Sequence, residues 1–156
     1  MKSLKLPELY KINEINISYR NKIPPNERPD IKQASTAYAT FRQSWDDNKI
    51  EMVEQFKIML LDRRSRCLGI AEISSGGWNS CIADKRIIFS TALKGRANGI
   101  LLAHNHPSHN KEPSEEDIRV TQELIEIGEL LEIPVLDHLI ITPNTFYSMA
   151  NEGLIP

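Results

Sequence analysis

The stretch Ile100-Leu-Leu-Ala-His-Asn-His-Pro-Ser-His-Asn-Lys-Glu-Pro-Ser-Glu-Glu-Asp117 joins a buried strand pattern to a group of potential metal ligands. Its apolar beginning predicts a central strand, and Pro107 indicates where that strand ends, because proline has no amide to donate to a sheet. Side chains two residues apart in a strand point to one face, so His104 and His106 can approach the same point. Asp117 follows at the start of a helical pattern. Two histidines and a carboxylate around an open fourth position are typical of a catalytic zinc site.

A simpler interpretation of this stretch is a solvated turn with two loop histidines and a helix-capping aspartate. Ser114 and Asp117 form Ser-x-x-Asp, a variant of the capping box found at helix starts. Capping and metal ligation compete for the Asp117 carboxylate, although Ser114 can cap the helix while Asp117 binds a metal. We favour ligation, because position, residue type and surroundings agree.

Composition excludes several classes of protein. The chain has 156 residues, of which 40% are hydrophobic and 26% charged, and these values predict one soluble domain with a substantial core. A net charge of −2 argues against a strongly electrostatic nucleic-acid binder, although not against a local basic patch. The sequence contains no apolar run of membrane-spanning length and no signal-peptide pattern, and Cys67 and Cys81 are not in a CxxC spacing. We therefore expect no membrane partner and a reducing, cytoplasmic location.

Residues 1–33 are predicted to form an N-terminal extended arm that precedes a single domain at residues 34–156. The arm has a net charge of +3, which is small against the several phosphate contacts that tight duplex binding requires. Its segment 23–29 contains three prolines and cannot form a helix interior. We interpret the arm as a surface linker, with a short strand at 12–17, and keep a docking arm as the alternative.

Helical and strand patterns alternate through the rest of the chain. The predicted helices are residues 33–54, with a second short helix at 50–54, then 84–98 and 114–132. The predicted strands are 56–62 and 67–73, paired as a hairpin, followed by 79–82, 99–103, 135–141 and a strand or short helix at 145–149. This order predicts an α/β fold with a mixed central sheet flanked by helices.

A zinc hydrolase also needs a base. Zinc lowers the pKa of a bound water to about 7, but a separate group must still move protons from the water to the leaving group. The upstream candidates are Glu51, Glu54 and Glu72. Glu72 alternates with apolar neighbours, which predicts a position on an exposed sheet face. Glu54 lies where a helical segment gives way to an apolar strand, and such an end can project a side chain towards the metal.

The spacing His-x-His-Pro-x6-Ser-x2-Asp at residues 104–117 resembles the JAMM (MPN-plus) metalloprotease motif, and the surrounding sequence is closer still to the RadC-like branch. The resemblance covers about residues 45–155. It implies a cytidine-deaminase-like α/β fold with a zinc ion in the site. The residues that it implies are His104, His106 and Asp117 as zinc ligands, Ser114 as the donor that stabilises the oxyanion, and Glu54 as the general base.

The sequence departs from this pattern at two positions. Asn105 replaces the serine or threonine common in JAMM deubiquitinases, as is usual in RadC-like chains, and His109 stands where RadC-like chains usually carry glycine. The second change could reshape the loop or add a ligand. His138 is open to two interpretations, an outer partner of the metal site or a core histidine, and Trp45 and Trp78 are predicted to serve packing. The helix-hairpin-helix that precedes the domain in full-length RadC-like proteins is not apparent.

These observations predict a zinc-dependent hydrolase, a metallopeptidase or isopeptidase that acts on a peptide or protein substrate. The alternative is a non-catalytic zinc-containing binding module linked to DNA repair or mobile elements, with zinc serving structure. A metal-dependent nuclease is a third possibility, because two histidines and an aspartate can activate water for phosphodiesters too. A basic cluster that would bind phosphate is missing near the motif.

Overall fold

A computed structural model of the protein describes residue 13 and residues 15–78 and 80–156. The described residues form helices and strands after a short 3-10 helix at Pro25–Glu27. The helices are α1 (Ala34–Gln43), α2 (Lys85–Lys94) and α3 (Glu115–Leu130), and the strands are β1 (Gln55–Leu61), β2 (Cys67–Ser75), β3 (Gly99–Asn105), β4 (Val135–Ile141) and β5 (Phe146–Ser148).

The strands form one sheet in the order β2-β1-β3-β4-β5. β3 and β4 run parallel, and the other neighbouring strands pair antiparallel. β3 therefore occupies the centre of the sheet, where every one of its residues is buried. The predicted α/β fold with a mixed central sheet is confirmed.

Helices cover both faces of the sheet, and the two-residue period of β3 divides its side chains between them. Ile100 and Leu102 belong to the cluster formed with α2 and α3, whereas Leu101 and Ala103 belong to the cluster formed with α1. By the same alternation, His104 projects towards the α2 and α3 side. The core therefore fixes the face on which the first motif histidine lies.

The residues at which the helices begin agree with the sequence-based predictions better than the residues at which they end. Asp84 caps α2 through its side chain, as predicted. α2 ends at Lys94 rather than near residue 98, and α3 ends at Leu130 rather than at 132. Arg96 and Glu132 have positive φ angles of 55° and 59°, and this left-handed backbone cannot continue a right-handed helix.

The predicted helix at 50–54 is wrong, because residues 47–52 form turns between α1 and β1. The carbonyl oxygens of Ile50 and Val53 accept hydrogen bonds from the buried side-chain amide of Asn105, at 2.7 and 2.9 Å. A side chain of the central strand, and not the next helical turn, satisfies these carbonyls.

Two predicted strands are also absent from the described residues. Residues 80–82 are irregular, and Asn79 lies outside the residues that the structure describes. Ile15 and Ile17 are exposed and belong to no strand, and Ile12 lies outside the described residues. Of the described helices, none is long and apolar enough to cross a membrane.

Candidate metal centre

The two motif histidines face each other where β3 ends. Their Nε2 atoms lie 2.9 Å apart, and the His104 side chain is almost completely buried. Nδ1 of His106 lies 2.6 Å from the carbonyl oxygen of Asn110. Because a carbonyl only accepts, this Nδ1 carries the proton, and Nε2 of neutral His106 keeps a lone pair for a metal.

Asp117 reaches the same place from the first turn of α3. Its Oδ2 accepts the Ser114 backbone N–H at 2.8 Å, and Ser114 Oγ accepts the Asp117 N–H at 3.0 Å, which completes a capping box. The same carboxylate lies 3.3 Å from His104 Nε2 and 3.4 Å from His106 Nε2. Capping therefore orients the Asp117 carboxylate towards the histidines, and the two roles do not compete.

These separations fit a tetrahedral zinc site. Ligand atoms held at about 2.0–2.2 Å from one zinc ion lie roughly 3.3–3.6 Å apart, close to both Asp117 distances, whereas the histidine pair has to open slightly. Glu54, His104 and His106 form a second group close enough to hold a metal ion. Glu54 Oε1 is further out, at 3.7 Å from His106 Nε2. The structure thus offers two possible third ligands. Asp117 stays our prediction, with Oδ1 3.3 Å from His104 Nε2 and Oδ2 3.4 Å from His106 Nε2.

Asn105 fixes the backbone around Glu54, a role that we did not predict from the sequence. Its Oδ1 accepts the Gln55 N–H at 2.7 Å, while its amide nitrogen bonds the two carbonyls on the other side of Glu54. These hydrogen bonds hold the chain on both sides of Glu54, where it enters β1. The available signal was an amide side chain at the end of a mostly apolar strand, because such a residue must find partners when it is buried.

Burial and charge give the carboxylates opposite pKa shifts. Burial raises the pKa of Glu54, and the nearby His104 and His106 offset this only in part. Burial alone would also raise the pKa of Asp117, but the adjacent His104 and His106 side chains and the Ser114 backbone N–H outweigh it and hold that pKa far below its usual range. Asp117 is therefore ionised, as a ligand must be, while the raised pKa of Glu54 suits a group that takes up and returns a proton.

The other two candidate bases point elsewhere. Glu72 is exposed, and its Oε1 accepts a hydrogen bond from the Gln55 side chain at 3.2 Å. Glu51 pairs with His109, with 2.5 Å between Oε1 and Nε2. Of the three carboxylates, Glu54 is the one that lies against a motif histidine.

The cluster opens into a groove of about 700 Å³ between α2, α3 and the loop that follows β3. Trp78 and Ile82 line its rim and are both largely exposed. With 79% of its surface exposed, Trp78 does not serve packing, and that prediction is wrong. Trp45 is buried, with its ring at an edge to Phe41, as expected.

Cys81 also lines the groove, but its thiol is not set up as a nucleophile. Burial, together with the nearby Glu54 carboxylate, raises the pKa of Cys81 to about 12. The reactive form of a cysteine is the thiolate, and this thiol stays protonated near neutral pH. The groove chemistry therefore depends on the histidines and carboxylates.

His138, which the sequence left open, lies against His104, with 2.7 Å between His138 Nε2 and His104 Nδ1. Its other ring nitrogen lies 2.6 Å from the hydroxyl of Thr121 on α3. Thr121 carried no signal in the sequence, because a threonine on a helix is ordinary. The structure therefore connects the motif to β4 and to the middle of α3.

His109 adopts a left-handed backbone conformation with φ 65°, which accounts for the glycine usual at this position in RadC-like chains. Its side chain pairs with Glu51 and is not an added metal ligand. We expect His109→Gly to be more stable than His109→Ala by about 1 kcal/mol, because alanine retains the left-handed strain and glycine does not. Urea unfolding of the two variants measures this difference. Both lose the exposed ion pair, so an alanine variant of equal or greater stability contradicts the strain argument.

A mixed sheet whose central strand leads into His-x-His, followed by a helix with an aspartate in its capping box, defines an α/β protein with a JAB-type candidate metal centre. The chain belongs to the RadC-like JAB domain family, whose family model matches residues 31–154. This membership confirms the resemblance seen in the sequence.

Curated relatives carry the name UPF0758 protein. The chain is 43% identical over 102 residues to the one from Alkaliphilus metalliredigens, which covers 65% of this chain and 44% of that protein. It is 38% identical over 101 residues to the one from Flavobacterium johnsoniae, with 65% and 44% covered. It is 37% identical over 136 residues to the one from Syntrophotalea carbinolica, with 87% and 58% covered. The chain thus spans about half the length of the curated relatives that it matches.

Proposed function

We propose that the protein is a zinc-dependent hydrolase that cleaves peptide or isopeptide bonds. The observation that carries this proposal is the convergence of His104, His106 and the ionised Asp117 within 3.4 Å of one another. Glu54, which is buried, lies just beyond them at 3.7 Å from His106. Such a set matches the ligands and the separate base of a catalytic zinc site.

Each residue has a role that its contacts support. Zinc held there would supply a Lewis acid and a water that ionises near neutral pH. Glu54 would hold the proton given up by the water that attacks the substrate carbonyl and would return it to the leaving amine, a role suited to its raised pKa. Ser114 Oγ already accepts the Asp117 N–H, so its own hydrogen remains free to donate to the substrate carbonyl oxygen.

The non-catalytic alternative fits the groove less well. A module in which zinc serves only structure has closed coordination, whereas a catalytic site keeps one position open. The groove of about 700 Å³ reaches His104, His106 and Asp117 and leaves room for an extended peptide. The exposed Trp78 at the rim of the groove can pack against a substrate side chain, a contact that a closed structural site does not need.

The charged side chains along the groove fit a nuclease less well than a peptidase. The cationic side chains along the groove are Lys85 and Arg119. Lys85 is paired with Glu123, and Arg119 is paired with Glu116 and Glu123. Because these cations are already paired, the groove favours a peptide over a phosphodiester backbone. The free cysteines Cys67 and Cys81 fit a cytoplasmic setting, which we propose with the activity.

Quenched fluorescent peptides and lysine-branched isopeptides, incubated with the zinc-loaded protein, test the proposal. We expect cleavage that a chelator stops and that added zinc restores. Single-stranded and duplex oligonucleotides are tested in parallel, with His106→Ala as the control that lacks a ligand. Cleavage of the oligonucleotides alone, or of no substrate at all, contradicts the proposal.

Ser114→Ala is expected to lower turnover by about 10²–10³-fold, the usual loss when an oxyanion donor is removed. Zinc should remain bound, because Asp117 is held by the Ser114 backbone N–H, which alanine retains. Ser114→Thr keeps the hydroxyl and is the matched control. Steady-state kinetics and metal content measure both effects, and an acyl group trapped on Ser114 would show a different mechanism.

A further inference from the structure

We infer that His138, on β4, is a positioning residue that holds His104 in the tautomer able to bind a metal. The inference rests on the proposed zinc site but not on the hydrolytic activity. It assigns to His138 a role that packing alone does not require, and it includes Thr121 as the residue that orients His138.

A chain of four groups connects the two sides of the candidate metal centre. Nδ1 of His104 lies 2.7 Å from Nε2 of His138, and Nδ1 of His138 lies 2.6 Å from Oγ1 of Thr121. Oγ1 of Thr121 lies 2.6 Å from the backbone carbonyl oxygen of Asp117. The chain therefore begins at one predicted ligand and ends at the backbone of another.

The direction of each hydrogen bond follows from which atoms can donate. The Asp117 carbonyl oxygen only accepts, so the single hydroxyl hydrogen of Thr121 points to it. Thr121 Oγ1 must then accept from His138, and Nδ1 of His138 carries a proton. Nε2 of neutral His138 is consequently unprotonated and can only accept, so the hydrogen between the two rings belongs to Nδ1 of His104.

The surroundings of His138 favour its neutral form. The residue is 1% exposed. Its ring packs against that of Phe56 in a T-shaped arrangement, with ring centres 5.5 Å apart and planes at 70°. A cation buried in this way beside another imidazole is costly, so the hydrogen-bond chain is read with His138 neutral. A doubly protonated His138 would instead force Nδ1 of His104 to accept, which would place the His104 proton on Nε2.

The consequence for the site is specific. With its proton on Nδ1, neutral His104 presents the Nε2 lone pair to the space shared with His106 and Asp117. Histidine ligands are commonly oriented in this way by a partner on the other ring nitrogen, and loss of such a partner costs about 10–100-fold in metal affinity. The partner here is a second histidine, itself oriented by Thr121.

Zinc affinity of three variants, measured against a chromophoric chelator, tests this inference. His138→Leu removes the acceptor and should weaken zinc binding by about 10–100-fold. In His138→Gln, the side-chain oxygen can occupy the position of Nε2 and accept from His104, so we expect it to recover most of the affinity. Thr121→Val preserves shape and removes the group that orients His138, so an intermediate loss is expected. Urea unfolding of the metal-free variants separates lost affinity from lost stability.

The protonation of the wild-type rings provides a second readout, which does not need a variant that folds. Long-range proton–nitrogen NMR of the metal-free protein should show protons on Nδ1 of His104 and Nδ1 of His138, and none on Nε2 of His138. A proton on Nε2 of His138 overturns the inference, as does a glutamine variant no better than the leucine variant. If the wild type binds no zinc, the proposed function fails, while the ring protonation still decides whether His138 orients His104.

Discussion

Glu54→Gln is expected to lower the turnover of the zinc-loaded protein by about 10²–10⁴-fold, the usual contribution of a general base. Glutamine keeps the size of the side chain but cannot take up a proton at neutral pH. Glu54 lies 3.7 Å from His106 Nε2, and burial raises its pKa towards the working range. Steady-state hydrolysis of the best peptide from the fluorescent set measures the loss.

Glu72→Gln is the matched control for this substitution. Glu72 belongs to the neighbouring strand β2, is exposed, and bonds the side chain of Gln55. The same chemical change at this position should leave turnover nearly unaltered. A large loss in Glu72→Gln with full activity in Glu54→Gln would assign the base to Glu72. Metal content measured on both proteins shows whether a loss arises from proton transfer or from missing zinc.

The positions of the two histidines and of Asp117 follow from local sequence patterns. In an apolar run that ends in His-x-His, the extended backbone sets the relative direction of the two histidines, because a two-residue period puts both imidazoles on one face. Ser-x-x-Asp likewise sets the orientation of its aspartate, because a capping box fixes that side chain relative to the helix. These motifs are decided by neighbours in the chain, and the structure gives them the local conformations that the sequence indicates.

The supporting contacts could not be predicted, because they join residues far apart in the sequence. Asn105 bonds residues about fifty positions earlier, and His138 meets His104 from the next parallel strand. The helix predicted at 50–54 failed for the same reason, since Asn105 binds carbonyls that a helix would have used. Trp78 was predicted to serve packing, but residue type does not determine burial, and this aromatic residue beside two glycines is exposed.

Zinc binding, at one ion per chain, is expected to depend on Asp117 and to survive substitution of Glu54. We expect Asp117→Asn to weaken the affinity by more than about 100-fold, because loss of a direct ligand exceeds the 10–100-fold cost of losing an outer partner. Asparagine still offers an oxygen to the Ser114 N–H, so the start of α3 is preserved and the change acts on the ligand alone. His106→Ala, which removes an undisputed candidate ligand, sets the scale of a full loss.

The comparison of Asp117→Asn with Glu54→Gln decides between the two possible third ligands. Glu54, His104 and His106 are close enough to hold a metal, so a loss of zinc in Glu54→Gln with retention in Asp117→Asn would make Glu54 the ligand and remove it as the base. Equal zinc in wild type and His106→Ala would place the metal elsewhere. Asp117 has Oδ1 3.3 Å from His104 Nε2 and Oδ2 3.4 Å from His106 Nε2, which is why we predict it as the ligand. Glu54 Oε1 lies 3.7 Å from His106 Nε2, close to the separation of two zinc ligands, so the zinc content of the two variants, and not this distance, decides the role of Glu54.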